Sequence, residues 1–410
     1  MKKTMLAAAC AVAIALPLAG AQAQSQSQSQ SYSDGVVKIG ILTDLSGQLS
    51  DSTGAGSILA AEMAVADFGP IEGTKVEIIS ADHQNKADIG AATARKWYEV
   101  DGVDAIMDVP NSAVALAVQQ ITREKDRIAI FSSPASSDLT GKACSPNGIH
   151  WTYDTYALAH VTGDAVVASG LKNWFFLTSD YAFGHALERD TGAVVQTAGG
   201  KVYGSVRMPA NAPDFSSFLL QAQSSKAEVV ALATAGLDTQ NAIKQAAEFG
   251  LAESGKTIAA LLLADTEVHA LGLKATQGIR LTAPFYWDMN DGTRAFAKRF
   301  YEKRKAMPTF YQAGVYGAVT HYLKAVKAAK TDAAGPVMAK MKDTPINDFM
   351  TKDGKVREDG RVIRDMYLFQ VKTPAESKAP WDYYNLAATV PGDQAFRPLA
   401  ESECPLVKKM

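Results

Sequence analysis

Short β-branched runs alternate with longer stretches of helical periodicity along most of this 410-residue chain. Residues 36–42 (VVKIGIL) read as a strand and 55–68 as a helix. A strand at 76–80, a helix at 87–100, a strand at 105–109, a helix at 112–124 and a strand at 128–131 follow. The alternation pauses over 132–153, which is rich in Ser, Pro and Gly, and then resumes. The second series predicts helices at 156–169, 186–198, 215–224 and 239–249, with strands at 174–178, 202–206, 229–234, 258–264 and 279–283. From 293 the pattern turns helical (293–306, 312–329, 335–341), before a late strand at 366–371 and a Pro-rich tail. A strand–helix–strand series builds a parallel sheet covered on both faces. Two such series predict an α/β protein of two doubly wound lobes, each with its binding edge at the carboxyl ends of its strands and a cleft between them. The late helices suit the first lobe better than a third domain. The expected organisation is a first lobe over 36–149 and 286–345, a second over 150–285 and 346–375, and a tail over 376–410 packing back on both. The hinge would cross near 150–153, 284–287 and the late strand.

The start of the chain has a different character. Lys2 and Lys3 precede an apolar run over 5–19 broken only by Pro17, and Ala21-Gln22-Ala23 supplies small residues for a peptidase. The run is too short to span a bilayer, so residues 1–23 read as a cleaved secretory signal and the mature protein as periplasmic. Cys10 lies inside the apolar run, which argues against a lipid-modified cysteine. The Ser/Gln tract that follows has almost no apolar residue, and residues 24–35 are expected to form a disordered leader. Cys144 and Cys404 survive processing. In an oxidising compartment they are expected to pair, the alternative being two unrelated small residues.

Composition narrows the chemistry. Apolar residues make up 47% and charged residues 20%, as in a globular protein, and the net charge of −2 disfavours a nucleic-acid partner. There is no G-x-S-x-G elbow and no H-E-x-x-H zinc motif, and the histidines lie far apart, so no enzyme, cofactor or metal site is expected; only a dispersed triad stays open. Residues 250–257 (GLAESGKT) satisfy the P-loop pattern G-x-x-x-x-G-K-[ST]. That chemistry needs a strand before the loop and a helix after it, whereas here a helix precedes and a strand follows, so the segment reads as a turn.

The informative stretches are strand ends. Asp108-Val109-Pro110-Asn111-Ser112 closes one strand and opens a helix, where Asn111 or Ser112 serves either as a plain cap or beside a ligand carboxylate. Ser132-Ser133-Pro134-Ala135-Ser136-Ser137 offers hydroxyls and free amides after the next strand. Ser179-Asp180-Tyr181-Ala182-Phe183-Gly184 places two aromatics at a cleft edge. Leu237, Asp238 and Asp265 occupy comparable ends, where an aspartate meets a cation or caps a helix. Phe285 and Tyr286, at a proposed crossing, either wall an apolar ligand or pack the hinge.

Together these residues resemble the type I periplasmic solute-binding proteins, in the branch serving branched-chain and hydrophobic amino acid ABC importers, leucine/isoleucine/valine-binding-protein-like. The carriers are VVKIGILTDLSGQLSDSTGAGSILAAEMAV at 36–65, ADHQNKADIGAATARKW at 81–97, SSPASSDLT at 132–140 and SDYAFG at 179–184, in this order and spacing. The resemblance implies that Ala135, Ser136 and Ser137 hold a ligand carboxylate, with Asn111 and Ser112 as a second contact in the first lobe. It lays Phe183 over the ligand and brings Asp265 or Thr266 near its ammonium. The aromatic usual in the first loop is missing from 49–54, and Leu237 and Asp238 replace the family's polar or aromatic contacts. Those departures leave open a carboxylate without an ammonium, aromatic or 2-oxo.

The expected function is therefore capture of an amino acid or related small carboxylate by hinge closure, with Tyr181 and Phe183 brought over it. A monomer would then deliver the solute to an inner-membrane ABC permease. The rivals are a ligand-sensing subunit for a membrane receptor and a secreted hydrolase, the latter needing a nucleophile–base pair in the cleft.

Overall fold

The computed structural model describes residues 32–408. The expected signal segment and the leader up to residue 31 lie outside them. The end of that leader is not loose as expected: Ser33 donates from its amide and its hydroxyl to Asp332 at 2.7 and 2.9 Å, and Tyr32 packs on the core.

Two parallel sheets form two lobes. In the first, β1 (Val36–Thr43), β2 (Lys75–Asp82), β3 (Ala105–Asp108), β4 (Ile128–Phe131) and β5 (Gly148–His150) lie in the order β2-β1-β3-β4-β5. In the second, β6 (Asn173–Ser179), β7 (Lys201–Met208), β8 (Val229–Ala233) and β9 (Thr257–Ala260) lie in the order β7-β6-β8-β9. The central strands β3, β4 and β8 are buried throughout, which is why they read as unbroken apolar runs and not as alternations. Gly40 of β1 is set by packing: a Cβ there would lie 2.4 Å from the ring of Trp97.

The helices cover the sheet faces. The first lobe carries α1 (Gly54–Phe68), α2 (Ala87–Glu99) and α3 (Ser112–Glu124). The segment expected as one helix over 156–169 is α4 (Thr155–Leu158), a π-turn at Ala159–Gly163 and α5 (Asp164–Ala168). Then come α6 (Ala182–Thr197), α7 (Ser216–Ser224) and α8 (Leu237–Glu248). Two short helices, α9 (Asp265–Leu271) and α10 (Leu273–Thr276), stand where no helix is expected from the sequence. The strand expected over 258–264 stops at Ala260, and the remainder runs on towards the cleft.

The late helices return to the first lobe. After α11 (Asp291–Arg304), α12 (Phe310–Ala329) packs along α1 and against α13 (Ala334–Asp343). Most of α12 is buried, as a helix covered on both sides must be. Its start is pinned by a capping box in which Thr309 and Gln312 bond reciprocally. The same two residues donate to the carbonyls of Ser52 (2.7 Å) and Thr53 (3.2 Å), tying α12 to the loop after β1.

A third sheet is antiparallel. It pairs β10 (Arg280–Ala283) with β13 (Met366–Val371), and β13 with β14 (Tyr384–Val390), after a small hairpin of β11 (Lys355–Val356) and β12 (Val362–Ile363). The region expected only to pack back as a tail thus supplies a strand. Farther on, Cys404 is bonded to Cys144, their Cα atoms 5.6 Å apart, joining the tail to the β4–β5 connection. Residues 250–256 form a turn between α8 and β9, Thr257 already belongs to the strand, and Lys256 Nζ donates to the carbonyls of Ser225 and Ala227. That ammonium is engaged within the protein, not poised over a phosphate loop.

Candidate functional site

The strand orders place a reversal between β1 and β3 in one lobe and between β6 and β8 in the other. Loops leaving the carboxyl ends on either side of such a reversal diverge and open a crevice. Here the two crevices face each other across a small pocket. Leu49 and Thr53 enter it from the loop after β1, and Pro110 from the turn after β3. Ser133 and Ala135 enter from the turn after β4. Opposite stand Tyr181 and Phe183 after β6, Ala235 after β8 and Leu262 after β9. Tyr153, from the crossing after β5, and Tyr311, from the first turn of α12, complete the wall.

These turns are held from behind. Asp108 and Val109 adopt φ of 80° and 56°, a left-handed conformation that side chains disfavour and that persists only where neighbours over-determine it. The neighbours are Ser132 and Ser133, whose hydroxyls both donate to Asp108 Oδ1 and fasten the end of β3 to the turn after β4. Burial pushes the Asp108 carboxyl up, against these hydroxyl donors. Tyr153 donates through its hydroxyl to the Ser133 carbonyl at 2.9 Å, and its ring meets Phe310 and Tyr311 edge-on with centroids at 5.2 and 5.8 Å. Asp44 accepts from the amides of Gly47 (2.7 Å) and Leu49 (2.9 Å) and shapes the loop carrying Leu49.

Of the twelve residues expected at the site, Ala135, Tyr181 and Phe183 line the pocket. Asn111 stands one shell back as the cap of α3, accepting from the amides of Ala113 and Val114. Ser112 turns its hydroxyl to the amides of Ala135 (3.3 Å) and Ser136 (3.1 Å), the groups expected to meet a carboxylate. Ser136 caps the turn at 137–139, and Ser137 faces the other lobe, donating to Asp190 at 2.8 Å. Leu237 is 46% exposed and outside the pocket. Asp238 is buried beside it, accepting from Asn211 N at 3.3 Å, and burial pushes its carboxyl up to about 6. Asp265 is buried at the start of α9, and burial together with Glu267 drives its carboxyl well above the usual range. Phe285 and Tyr286 pack elsewhere: Phe285 against Phe296 and Phe349, and Tyr286 with its hydroxyl donated to the Trp381 carbonyl (2.6 Å) and accepting from Tyr383 N (2.8 Å). Leu49, Thr53, Tyr153, Leu262 and Tyr311 are lining residues that sequence reasoning missed. For Tyr311 a signal existed in the Thr309-x-x-Gln312 box, which marks a helix start, though nothing in it points to the cleft.

The lining has four aromatic rings and the hydroxyls of Thr53, Ser133, Tyr153, Tyr181 and Tyr311, and none of its residues carries a charged side chain. Among the described residues no group of three His, Cys, Asp or Glu is placed to hold a metal ion.

Comparisons agree with this architecture. A family model described as periplasmic binding protein matches residues 36–378. A periplasmic binding protein of Burkholderia mallei is 51% identical, covering 92% of this chain and 100% of its own, with a TM-score of 0.90. A branched-chain amino acid ABC transporter periplasmic ligand-binding protein of Burkholderia xenovorans LB400 is 40% identical over 91% of this chain and 100% of its own, at a TM-score of 0.81. At 20% identity, covering 91% of this chain and 100% of its own, a solute binding protein of an ABC transporter from R. palustris, crystallised with benzoate, shares the fold with a TM-score of 0.79. No curated protein matches the chain.

Proposed function

The chain belongs to the periplasmic binding protein family, and on that premise we propose that it captures a small organic acid lacking an ammonium group and delivers it to an inner-membrane ABC permease. The observation that carries the reading is the uncharged, aromatic lining. An ammonium buried there would meet no carboxylate in the lining itself, and an unpaired buried charge costs several kcal/mol. A carboxylate is better served, because lining hydroxyls can turn from their present acceptors to make charge-assisted hydrogen bonds to it. Closing Tyr181 and Phe183 over the solute buries its apolar part, and preferential binding to the closed form drives closure. A micromolar dissociation constant amounts to about −8 kcal/mol, which a few such bonds and one buried ring supply without chemistry.

A second reading, an amino acid, is favoured by the Burkholderia xenovorans relative and by the buried carboxyl of Asp238, which acts on the lining residue Tyr181. A calorimetric and thermal-shift panel of benzoates, 2-oxo acids and branched-chain amino acids separates the two. Acids without an ammonium are expected to bind and raise Tm. Binding confined to the amino acids would overturn the first reading in favour of the second.

A further inference from the structure

Phe183 and Asp190 stand two turns apart on one buried stripe of α6, with Leu187 between them. That spacing puts them about 10 Å apart on the same face of a rigid helix. Phe183 lies against the pocket, whereas Asp190 reaches the first lobe: its Oδ2 accepts from Ser137 Oγ there at 2.8 Å, and from Thr155 Oγ1 of its own lobe at 2.6 Å. Arg189 completes the contact, donating to Ser137 Oγ at 2.8 Å and pairing with Asp138 at 3.1 Å and with Asp190 at 3.1 Å. Ser137 directly follows the turn whose Ser133 and Ala135 form the pocket wall.

We propose that Arg189 and Asp190, clasping Ser137 and Asp138 across the lobes, are positioning residues that set solute affinity without touching the solute. The proposal rests on the capture-by-closure reading above and extends it. Seating Phe183 over the pocket and seating Asp190 on Ser137 are one motion, because α6 moves as a unit. The Asp190 side chain is only 2% exposed, so opening the lobes strips a buried carboxylate of a hydroxyl partner. The clasp therefore stabilises the closed form whatever fills the pocket, and any solute that needs that form gains from it. Ser137 acts here as a lobe-to-lobe contact and not as a ligand contact.

The test uses the full mature chain and three variants: Ser137→Ala, Arg189→Gln and the double variant, with Ser137→Thr as a control that keeps the hydroxyl. Benzoate and 4-methyl-2-oxopentanoate serve as probes, and spin labels at exposed Lys75 and Lys201 report the lobe separation with and without them. Each single variant is expected to release a bound probe about tenfold faster, with little change in association rate. Each should shift the label distances towards the open form, the double variant should lose little more than either single one, and Ser137→Thr should behave as the parent. Unchanged label distances and release rates in Arg189→Gln would overturn the proposal. So would a loss confined to Ser137→Ala, which would make Ser137 a solute contact. If neither probe binds the parent chain, the choice of solute class fails, and the label distances still decide the clasp.

Discussion

The carbonyl oxygen of Gln48 accepts a hydrogen bond from the amide of Leu237 at 3.2 Å, joining the loop after β1 in one lobe to the first turn of α8 in the other. This approach depends on Gly236, whose φ of 59° starts that helix and whose hypothetical Cβ would lie 2.3 Å from the same oxygen. Gly236→Ala is expected to wedge the lobes apart, weakening solute binding by about 1–3 kcal/mol and enlarging the radius of gyration of the liganded protein in solution scattering. Strain at the helix start is separated from wedging by the Tm of the free protein: a φ of 59° strains an alanine with or without solute, whereas wedging acts only where the two lobes meet.

Phe183 is buried against the pocket and meets Tyr181 with ring centroids 5.8 Å apart. Phe183→Ala is expected to weaken solute binding by about 1–3 kcal/mol with the fold intact. Calorimetry with a solute that binds the parent chain checks this, and an unchanged affinity would remove Phe183 from the recognition surface.

The bond between Cys144 and Cys404 closes a loop with a sequence separation of 260. Restricting so long a loop in the unfolded chain is worth about 5.6 kcal/mol in the entropy model, and measured bridges give roughly 2–4. Replacing both cysteines by serine, or adding reductant, should lower Tm; thiol titration of the native parent should find neither cysteine free.

Burial pushes the Glu267 carboxyl up to about 7 from its ordinary 4.5, against the Ala264 amide that donates to it. The native chain thus holds a proton between pH 4.5 and 7 that the unfolded chain has released. A group raised in this way makes stability fall as pH rises through that window, by an amount on the order of 3 kcal/mol. Glu267→Gln should flatten that limb of the Tm–pH curve. A curve with the parent's slope would show that another group governs it.

How far the chain could be read from its letters follows from what each segment faces. Strands such as β3 and β8 are buried on both sides, so their apolar runs announce themselves. By contrast, β14 (YNLAATV) is an edge strand with most of its residues exposed, and has no pattern to betray it. The π-turn at Ala159–Gly163 leaves the helical spacing of its flanks nearly intact, so a single helix is the natural reading. At the site, Ala135, Tyr181 and Phe183 were legible because they directly follow strands. Tyr311 was not, because a helix that belongs to the first lobe in space arrives far along the chain. Phe285 and Tyr286 have the same aromatic signature as the pocket wall, and only the packing partners Phe296, Phe349 and Trp381 distinguish hinge from cleft.

The packing of α12 on α1 bears on how the protein is made. Gly56, Ala60, Ala61 and Ala64 of α1 are buried, and Gly56 approaches Gln312 so closely that a Cβ would lie 2.1 Å from its amide nitrogen. The helix that covers this face of α1 is encoded after the whole second lobe, so the first lobe is complete only once the chain has left it, built the other lobe and returned.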